Sequence, residues 1–241
     1  MDYRTRIYET YASRFQRSDS RFDTAAADRK AAMFAHYFRG WLPADKNAAI
    51  ADLACGNGHL LHFFKQRGYQ RIGGVDISAE QVRLSRQVVP DVAEESVLDY
   101  LRARPDTFDL LTGIDIIEHM RKDEAIEFLD GCHAALRSGG RLILQTPNAD
   151  SPMIGNIRYG DFTHEICLNR SSLGSLLDLA GFRQTEAREA GPPRGHSAAA
   201  TVRSVLWQGY RLGIMAWNLI ETGSPGSGCY TRVFLMTGRK A

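Results

Sequence analysis

The stretch Ile50-Ala-Asp52-Leu-Ala-Cys55-Gly56-Asn57-Gly58-His-Leu-Leu61 decides the fold, together with Gly73-Gly-Val-Asp76-Ile-Ser78 downstream. An apolar run ends in a turn with two glycines. A helix-like run follows, and a second apolar run ends in an acid. Strand, glycine turn, helix and acid-tipped strand open an α/β domain that binds a nucleotide-type cofactor, the acid gripping a ribose.

The turn narrows the cofactor. A dinucleotide fingerprint spaces its glycines G-x-G-x-x-G, so that backbone amides at a helix N-terminus meet a pyrophosphate. The run Ala54-Cys55-Gly56-Asn57-Gly58-His59-Leu60-Leu61 has no third glycine. A ligand without phosphate needs no anion nest; it needs close backbone approach, which glycine permits because it has no Cβ and tolerates φ > 0. Asp52, just before the turn, suits a cationic amino acid moiety, and Asp76 can accept both ribose hydroxyls. These features point to S-adenosylmethionine rather than NAD. The competing reading is a tight turn of any α/β protein, with Asp76 as a helix N-cap. The placement of Asp76 roughly 20 residues downstream, on a second strand-like run, favours the cofactor.

The rest of the chain fits one domain. At 241 residues, with 44% apolar and 24% charged residues, it is long enough to bury a sizeable core. A formal net charge of +2 gives no case for nucleic acid. Cys55, Cys132, Cys167 and Cys229 lie far apart and form no C-x-x-C, which fits free thiols in a reducing cytosol. No apolar signal-peptide core follows Met1, and no run reaches the length of a spanning helix. A cytoplasmic protein, free or at the inner membrane surface, is expected.

Hydrophobic spacing predicts helices over 3–17 and 24–41 ahead of the sheet, the second stopped by Pro43. Strands are expected near 48–54, 71–76, 92–97, 107–114 and 141–146. Helices are expected at 58–67, 79–88 and 122–137, and a turn at Ser138-Gly139-Gly140. This alternation predicts a doubly wound, mostly parallel sheet with helices on both faces. The expected layout is a helical cap over 1–43, a cofactor-binding core over 44–146, and a substrate loop, helical insertion and final strands over 147–241. Ligands in such sheets sit beyond the carboxyl ends of the strands, so polar residues there are the first suspects.

The runs Asp52-Leu-Ala-Cys-Gly-Asn-Gly58, Gly74-Val-Asp76-Ile-Ser78, Phe108-Asp-Leu-Leu-Thr-Gly-Ile-Asp115-Ile-Ile-Glu118-His119 and Leu136-Arg-Ser-Gly-Gly-Arg-Leu-Ile-Leu144 resemble the class I S-adenosylmethionine-dependent methyltransferases, in order and spacing. The resemblance implies a seven-stranded Rossmann-like sheet whose C-terminal hairpin makes the last strand antiparallel. It places Asp52, Gly56 and Gly58 at the methionine end, Ala54 and Cys55 also among the cofactor-binding residues, and Asp76 on the ribose. Ile77 would lie against the adenine, Asp99 would face its amino group, and Ile114 and Asp115 would lie under the cofactor. An N-terminal helix would close over the site, with Tyr11 near the carboxylate or sulfonium.

Methyl transfer from a sulfonium is an in-line displacement, so the protein supplies alignment and, for a hydroxyl acceptor, a base. Two histidines compete. His119 follows Glu118 at the end of the fourth strand, where it either acts or shapes the pocket. His164 lies in the polar run Arg158-Tyr-Gly-Asp161-Phe-Thr-His164-Glu165 and is the preferred base, with Asp161 or Glu165 orienting it. Asn148, Arg158 and Tyr159 would contact substrate. No metal-site constellation is legible.

The Asn148…Arg158–Glu165 block, with Leu173…Gly181-Phe182, resembles bacterial methyltransferases that modify O-antigen and related cell-surface glycans. The core is more distantly similar to ubiquinone-pathway O-methyltransferases. The first resemblance implies a sugar hydroxyl, on a lipopolysaccharide-type glycan or its lipid- or nucleotide-linked precursor, and a polar loop suits a polyol. The alternatives are a small-molecule or quinone-precursor acceptor, and a catalytically silent partner of a glycan-assembly complex. The aromatic segment 202–220 reads as a buried cap, a homodimer surface or a peripheral membrane contact.

Overall fold

A computed structural model describes residues 21–191 and 197–241, together with residue 7. Its sheet has seven strands in the order β3-β2-β1-β4-β5-β7-β6. These are β1 (Ala49–Leu53), β2 (Arg71–Asp76), β3 (Val92–Glu94), β4 (Phe108–Ile114), β5 (Leu136–Pro147), β6 (Arg183–Glu189) and β7 (Val233–Arg239). The first five run parallel. The last strand, β7, runs antiparallel between β5 and β6. The expected mostly parallel sheet with one reversed strand is therefore present.

The helices are α1 (Thr24–Tyr37), α2 (His59–Gln66), α3 (Ala79–Ser85), α4 (Val97–Arg102), α5 (Lys122–Ala135), α6 (Ile154–Arg158), α7 (Arg170–Leu179) and α8 (Ala198–Thr222). Strand alternation divides the core. Ala49, Ala51 and Leu53 of β1, Leu111 of β4 and Leu142 and Leu144 of β5 point into one cluster with Phe128, Leu129 and Phe182. Ile50, Leu110 and Ile143 point the other way, into Phe34, Phe38, Phe63 and Phe64. Successive side chains of a strand face opposite sides, so a sheet covered on both faces reads as unbroken apolar runs.

Several boundaries differ from the sequence expectation. Helix α1 stops at Tyr37, four residues early, because Gly40 takes a left-handed φ of +76° and turns the chain before Pro43. The third strand ends at Glu94, and Ser96 then caps an unexpected helix by accepting from the Leu98 N–H at 3.2 Å. Ser138-Gly139-Gly140 is an irregularity within a longer β5, where the pairing with β4 shifts register. The expected first helix, 3–17, lies outside the described residues apart from residue 7.

Segment 202–220 belongs to the single 25-residue α8, and none of its residues is buried. The buried-cap expectation is thus corrected. Leu206, Trp217 and Ile220 stand exposed, Ile220 at 84%. No described helix is long and apolar enough to cross a membrane. The four cysteines are free.

Candidate active site

Strand order reverses between β1 and β4, and the carboxyl ends of β1, β2 and β4 open into one cleft of about 1170 Å³. This switch point is where open α/β sheets take their ligands.

The glycine turn shapes one end. Gly58 has a φ of +87° and packs so closely on α3 that a Cβ there would come within 3.0 Å of Ser85 Cα. Gly56, at φ +54°, faces open space instead, and a Cβ at that position would meet nothing within 4 Å. The two glycines thus meet different constraints: Gly58 packs on α3, and Gly56 borders the open cleft. Ala54 (φ +56°) and Asp115 (φ +53°) are non-glycine residues in the same left-handed region, at the ends of β1 and β4. Such backbone is costly and clusters at functional sites.

Asp76 accepts from the Gly56 N–H at 2.9 Å and from the Ser78 N–H at 2.9 Å. It ties the two turns together while lining the cleft. Burial raises its carboxyl pKa, against those backbone bonds. Asp52 is buried at the end of β1 and accepts from Thr112 Oγ1 at 2.7 Å; burial pushes its pKa up to about 7. Asp115 accepts from Gln145 Nε2 at 3.0 and 3.1 Å. It lies open to the cleft yet ringed by protein, and that surrounding raises its pKa. Cys55, Ile77 and Ile114 complete this wall.

The same cleft carries the histidines. Residues 117–119 form a short 3-10 turn after β4. There His119 Nδ1 lies 2.8 Å from Thr163 Oγ1, which lies 2.6 Å from Asp161 Oδ1. The Thr163 proton goes to the Asp161 carboxylate, so His119 Nδ1 must donate to Thr163, and its lone pair resides on Nε2. His164 Nδ1 lies 3.0 Å from the Ile157 carbonyl, which can only accept; its lone pair is also on Nε2. The two rings meet edge to face at 4.8 Å, and both line the cleft. Buried Glu118 lies beside them, with Oε2 accepting from Thr146 Oγ1 at 3.1 Å.

Several expected site residues sit elsewhere. Asp99 faces solvent from the first turn of α4 and pairs with Arg102 at 2.6 Å; its neighbours Ser96, Val97 and Leu98 line the cleft. Asn148 is buried away from the cleft, donating to the Cys229 and Thr231 carbonyls at 2.9 Å each. The Arg158 guanidinium holds the His164 and Glu165 carbonyls. Tyr159 is 82% exposed, outside the cleft. Glu165 is also off the cleft wall, its N–H donating to the Glu118 carbonyl at 2.8 Å. Asp161 lines the cleft but bonds to Thr163 and so orients His119, not His164. Tyr11 lies outside the described residues.

The cleft also holds residues that the sequence did not single out. Lys30 comes from α1, and burial lowers its pKa. His59 follows the glycine turn, and burial with the nearby Lys30 charge lowers its pKa to about 4, keeping it neutral. A charged residue on an amphipathic helix carries no signal of its own. Glu118 did carry one, being next to His119 in the fourth-strand motif.

Residues 21–187 match the family model described as a methyltransferase domain. The chain belongs to the methyltransferase-domain family. It is a class I S-adenosylmethionine-dependent methyltransferase, and S-adenosylmethionine is its cofactor. The site fits that molecule: Ser78 Oγ is buried on the cleft with no hydrogen-bond partner among the described residues, and Gly56 leaves room for close approach.

The methyltransferase is 31% identical over 107 residues to a ubiquinone biosynthesis O-methyltransferase of Xanthomonas euvesicatoria, covering 42% of this chain and 44% of that one. It is 25% identical over 151 residues to the protein of the same name from Idiomarina loihiensis, covering 54% and 60%. The chain thus spans about half the length of these curated relatives. In fold it is similar to an S-adenosylmethionine-dependent methyltransferase of Archaeoglobus fulgidus, with a TM-score of 0.66 at 19% identity over 99% of this chain and 100% of that one. A Haemonchus contortus N-methyltransferase solved with S-adenosylhomocysteine gives 0.62 at 13% identity, over 97% and 60%. The glycan acceptor expected from the sequence has no counterpart among these relatives.

Proposed function

We propose that this methyltransferase transfers a methyl group to a hydroxyl of a small quinone-precursor-type molecule. The carrying observation is the pair of imidazoles, His119 and His164, each with its Nδ1 fixed by the protein and its Nε2 lone pair on a cleft shared with the cofactor residues. S-adenosylmethionine supplies the activated methyl group. The chain aligns the acceptor oxygen with it and draws off the hydroxyl proton.

The polyol reading rested on a resemblance to glycan methyltransferases and on the polar run Arg158–Glu165; of its expected substrate contacts, Arg158 and Asn148 are engaged in loop hydrogen bonds and Tyr159 is exposed outside the cleft. The apolar part of the cleft lining includes Ile116, Met120, Pro147, Ile157 and Val233. That wall suits a flat apolar body bearing a hydroxyl. The ubiquinone biosynthesis O-methyltransferases among the relatives support the same acceptor class.

The test is an acceptor panel with the purified protein. Turnover of catechols without sugars supports the proposal; turnover of sugars alone overturns it in favour of a glycan enzyme. His119→Ala and His164→Ala should each abolish turnover and leave S-adenosylhomocysteine affinity within about twofold, since neither group belongs to the cofactor wall. The exposed apolar residues of α8 suit a homodimer or a peripheral membrane contact, which light scattering and liposome sedimentation separate.

A further inference from the structure

Helix α8 reverses the usual amphipathic arrangement. A surface helix of a globular protein sets its apolar stripe on the core and its charges in water. In α8 the inward side holds Arg211, whose Nε pairs with Glu189 Oε2 at 3.1 Å and whose Nη2 donates to the Gly228 carbonyl at 2.9 Å. Trp207 and Asn218 stand over Gly191 and Gly226 on the same side. Residues 207, 211, 214 and 218 recur at helical spacing and fix which side meets the protein.

The other side is an uncharged seam. Val202, Leu206, Gly209, Gly213, Ala216 and Ile220 follow the alternating four-and-three spacing of a coiled-coil stripe, and all are exposed. Val202 is 57% exposed, Leu206 67% and Ile220 84%. With the neighbouring Val205, Leu212, Trp217 and Leu219, this face leaves on the order of 800 Å² in water. That is about what each partner of a standard interface contributes, and more than the roughly 300–600 Å² patch of a typical monomer. Glycine weakens a helix interior, and a Cβ on Gly209 or Gly213 would meet nothing within 4 Å. The fold of one chain therefore places no demand for glycine there, whereas a second helix approaching closely does.

We propose that α8 packs antiparallel on α8 of a second copy of this chain, about a two-fold axis beside Arg211. The seam is self-complementary about that point. Val202 then meets the partner's Ile220, Leu206 meets the partner's Ala216, and Gly209 meets the partner's Gly213, so large residues oppose small ones and the backbones close at the centre. The charges agree with the same direction. Arg203 and Glu221 lie on one flank of the seam at its opposite ends, and Glu221 accepts from Trp217 Nε1 at 3.1 Å. Antiparallel pairing sets Arg203 beside the partner's Glu221 twice over, whereas parallel pairing would set like charges together. A lipid surface fits less well: interfacial helices are rich in Lys and Arg, and here Arg211 is held by Glu189. Helix α8 contributes no residue to the cleft lining, so this contact stands whichever acceptor the enzyme uses.

The experiment is sedimentation velocity on the full chain from about 0.1 to 50 μM. Wild type should sediment as a dimer over the upper part of that range. Gly209→Leu should raise the dimer dissociation constant by about 100-fold, and Arg203→Glu by about 10-fold. Arg203→Glu combined with Glu221→Arg should return to within about threefold of wild type; the two positions are about 27 Å apart along one helix, so only contact between copies gives that rescue. Unchanged S-adenosylhomocysteine affinity and Tm show that each variant is folded. Wild type that stays monomeric throughout overturns the dimer, and sedimentation of that monomer with liposomes assigns the face to lipid. A dimer indifferent to Gly209→Leu has its interface elsewhere and also overturns it. Failure of the double charge exchange to restore association overturns the antiparallel arrangement.

Discussion

The Asp52 carboxylate accepts a 2.7 Å hydrogen bond from Thr112 Oγ1, across the β1–β4 pair and within the buried sheet. Burial moves its pKa from 3.8 to about 7; the Thr112 bond opposes the rise and the nearby charge of Asp76 adds to it. In the unfolded chain this group ionises near pH 4. Between about pH 4 and 7 the folded state therefore holds the extra proton. The stability contributed by this group is full below about pH 4 and is lost as pH rises to 7, on the order of 4 kcal/mol at most.

The cofactor should reverse that preference. With its cationic amino acid group against Asp52, the ionised carboxylate is favoured and binding should expel a proton. S-adenosylhomocysteine affinity should rise about 10-fold from pH 6 to pH 8, and calorimetry in buffers of different ionisation enthalpy should detect proton release. Asp52→Asn should bind more weakly and with a flat pH profile. A flat profile in wild type would show that Asp52 does not face the cationic end.

The two turn glycines should fail in different ways. Gly58→Ala forces a methyl group to within 3.0 Å of Ser85 Cα at a φ of +87°. It should cost about 2 kcal/mol or more in stability, seen as a lower Tm. Gly56→Ala adds its methyl group to open space, at a φ of +54°. Its stability cost should be about 1 kcal/mol, the ordinary penalty of the left-handed region. Its cofactor affinity should fall much further, because the new Cβ occupies the ligand's approach. Equal losses of Tm and affinity in both variants would contradict this division of roles.

Asp99→Ala should leave cofactor binding within twofold of wild type. Its partner Arg102 is also exposed, and such surface pairs contribute about 0–1 kcal/mol. A tenfold loss of S-adenosylhomocysteine affinity would return Asp99 to the adenine site.

Asp99 also shows where the sequence stops being legible. Strand and helix periods, the two-glycine turn and the acid at Asp76 are local patterns, and they locate the sheet, the cleft and much of its lining. The side on which Asp99 falls depends on helical phase, set by the Ser96 cap one turn earlier. The region after β5 is harder still. Its polar residues read as substrate contacts, yet Asn148 and Arg158 satisfy buried or turn carbonyls. Side-chain type cannot distinguish a group that meets a ligand from one that holds a loop. The Glu118–His119–His164 cluster joins residues 46 positions apart across a Thr163 bridge, so only the fold reveals it.

Arg158→Ala should act through that loop. The guanidinium donates to the His164 carbonyl and, at 3.0 Å, to the Glu165 carbonyl, anchoring the segment that carries His164. Hydrogen bonds to charged groups contribute about 1.5–3 kcal/mol each when well formed, and less where water can replace them. The half-buried setting places the expected loss at about 1–2 kcal/mol. Because His164 moves with the loop, kcat should fall while cofactor affinity stays within twofold. Arg158→Lys should recover part of the stability but less of the rate, since one ammonium cannot span both carbonyls as the planar guanidinium does. If Arg158→Ala instead raises the acceptor KM and leaves Tm and kcat unchanged, the arginine contacts substrate and the anchoring role is wrong.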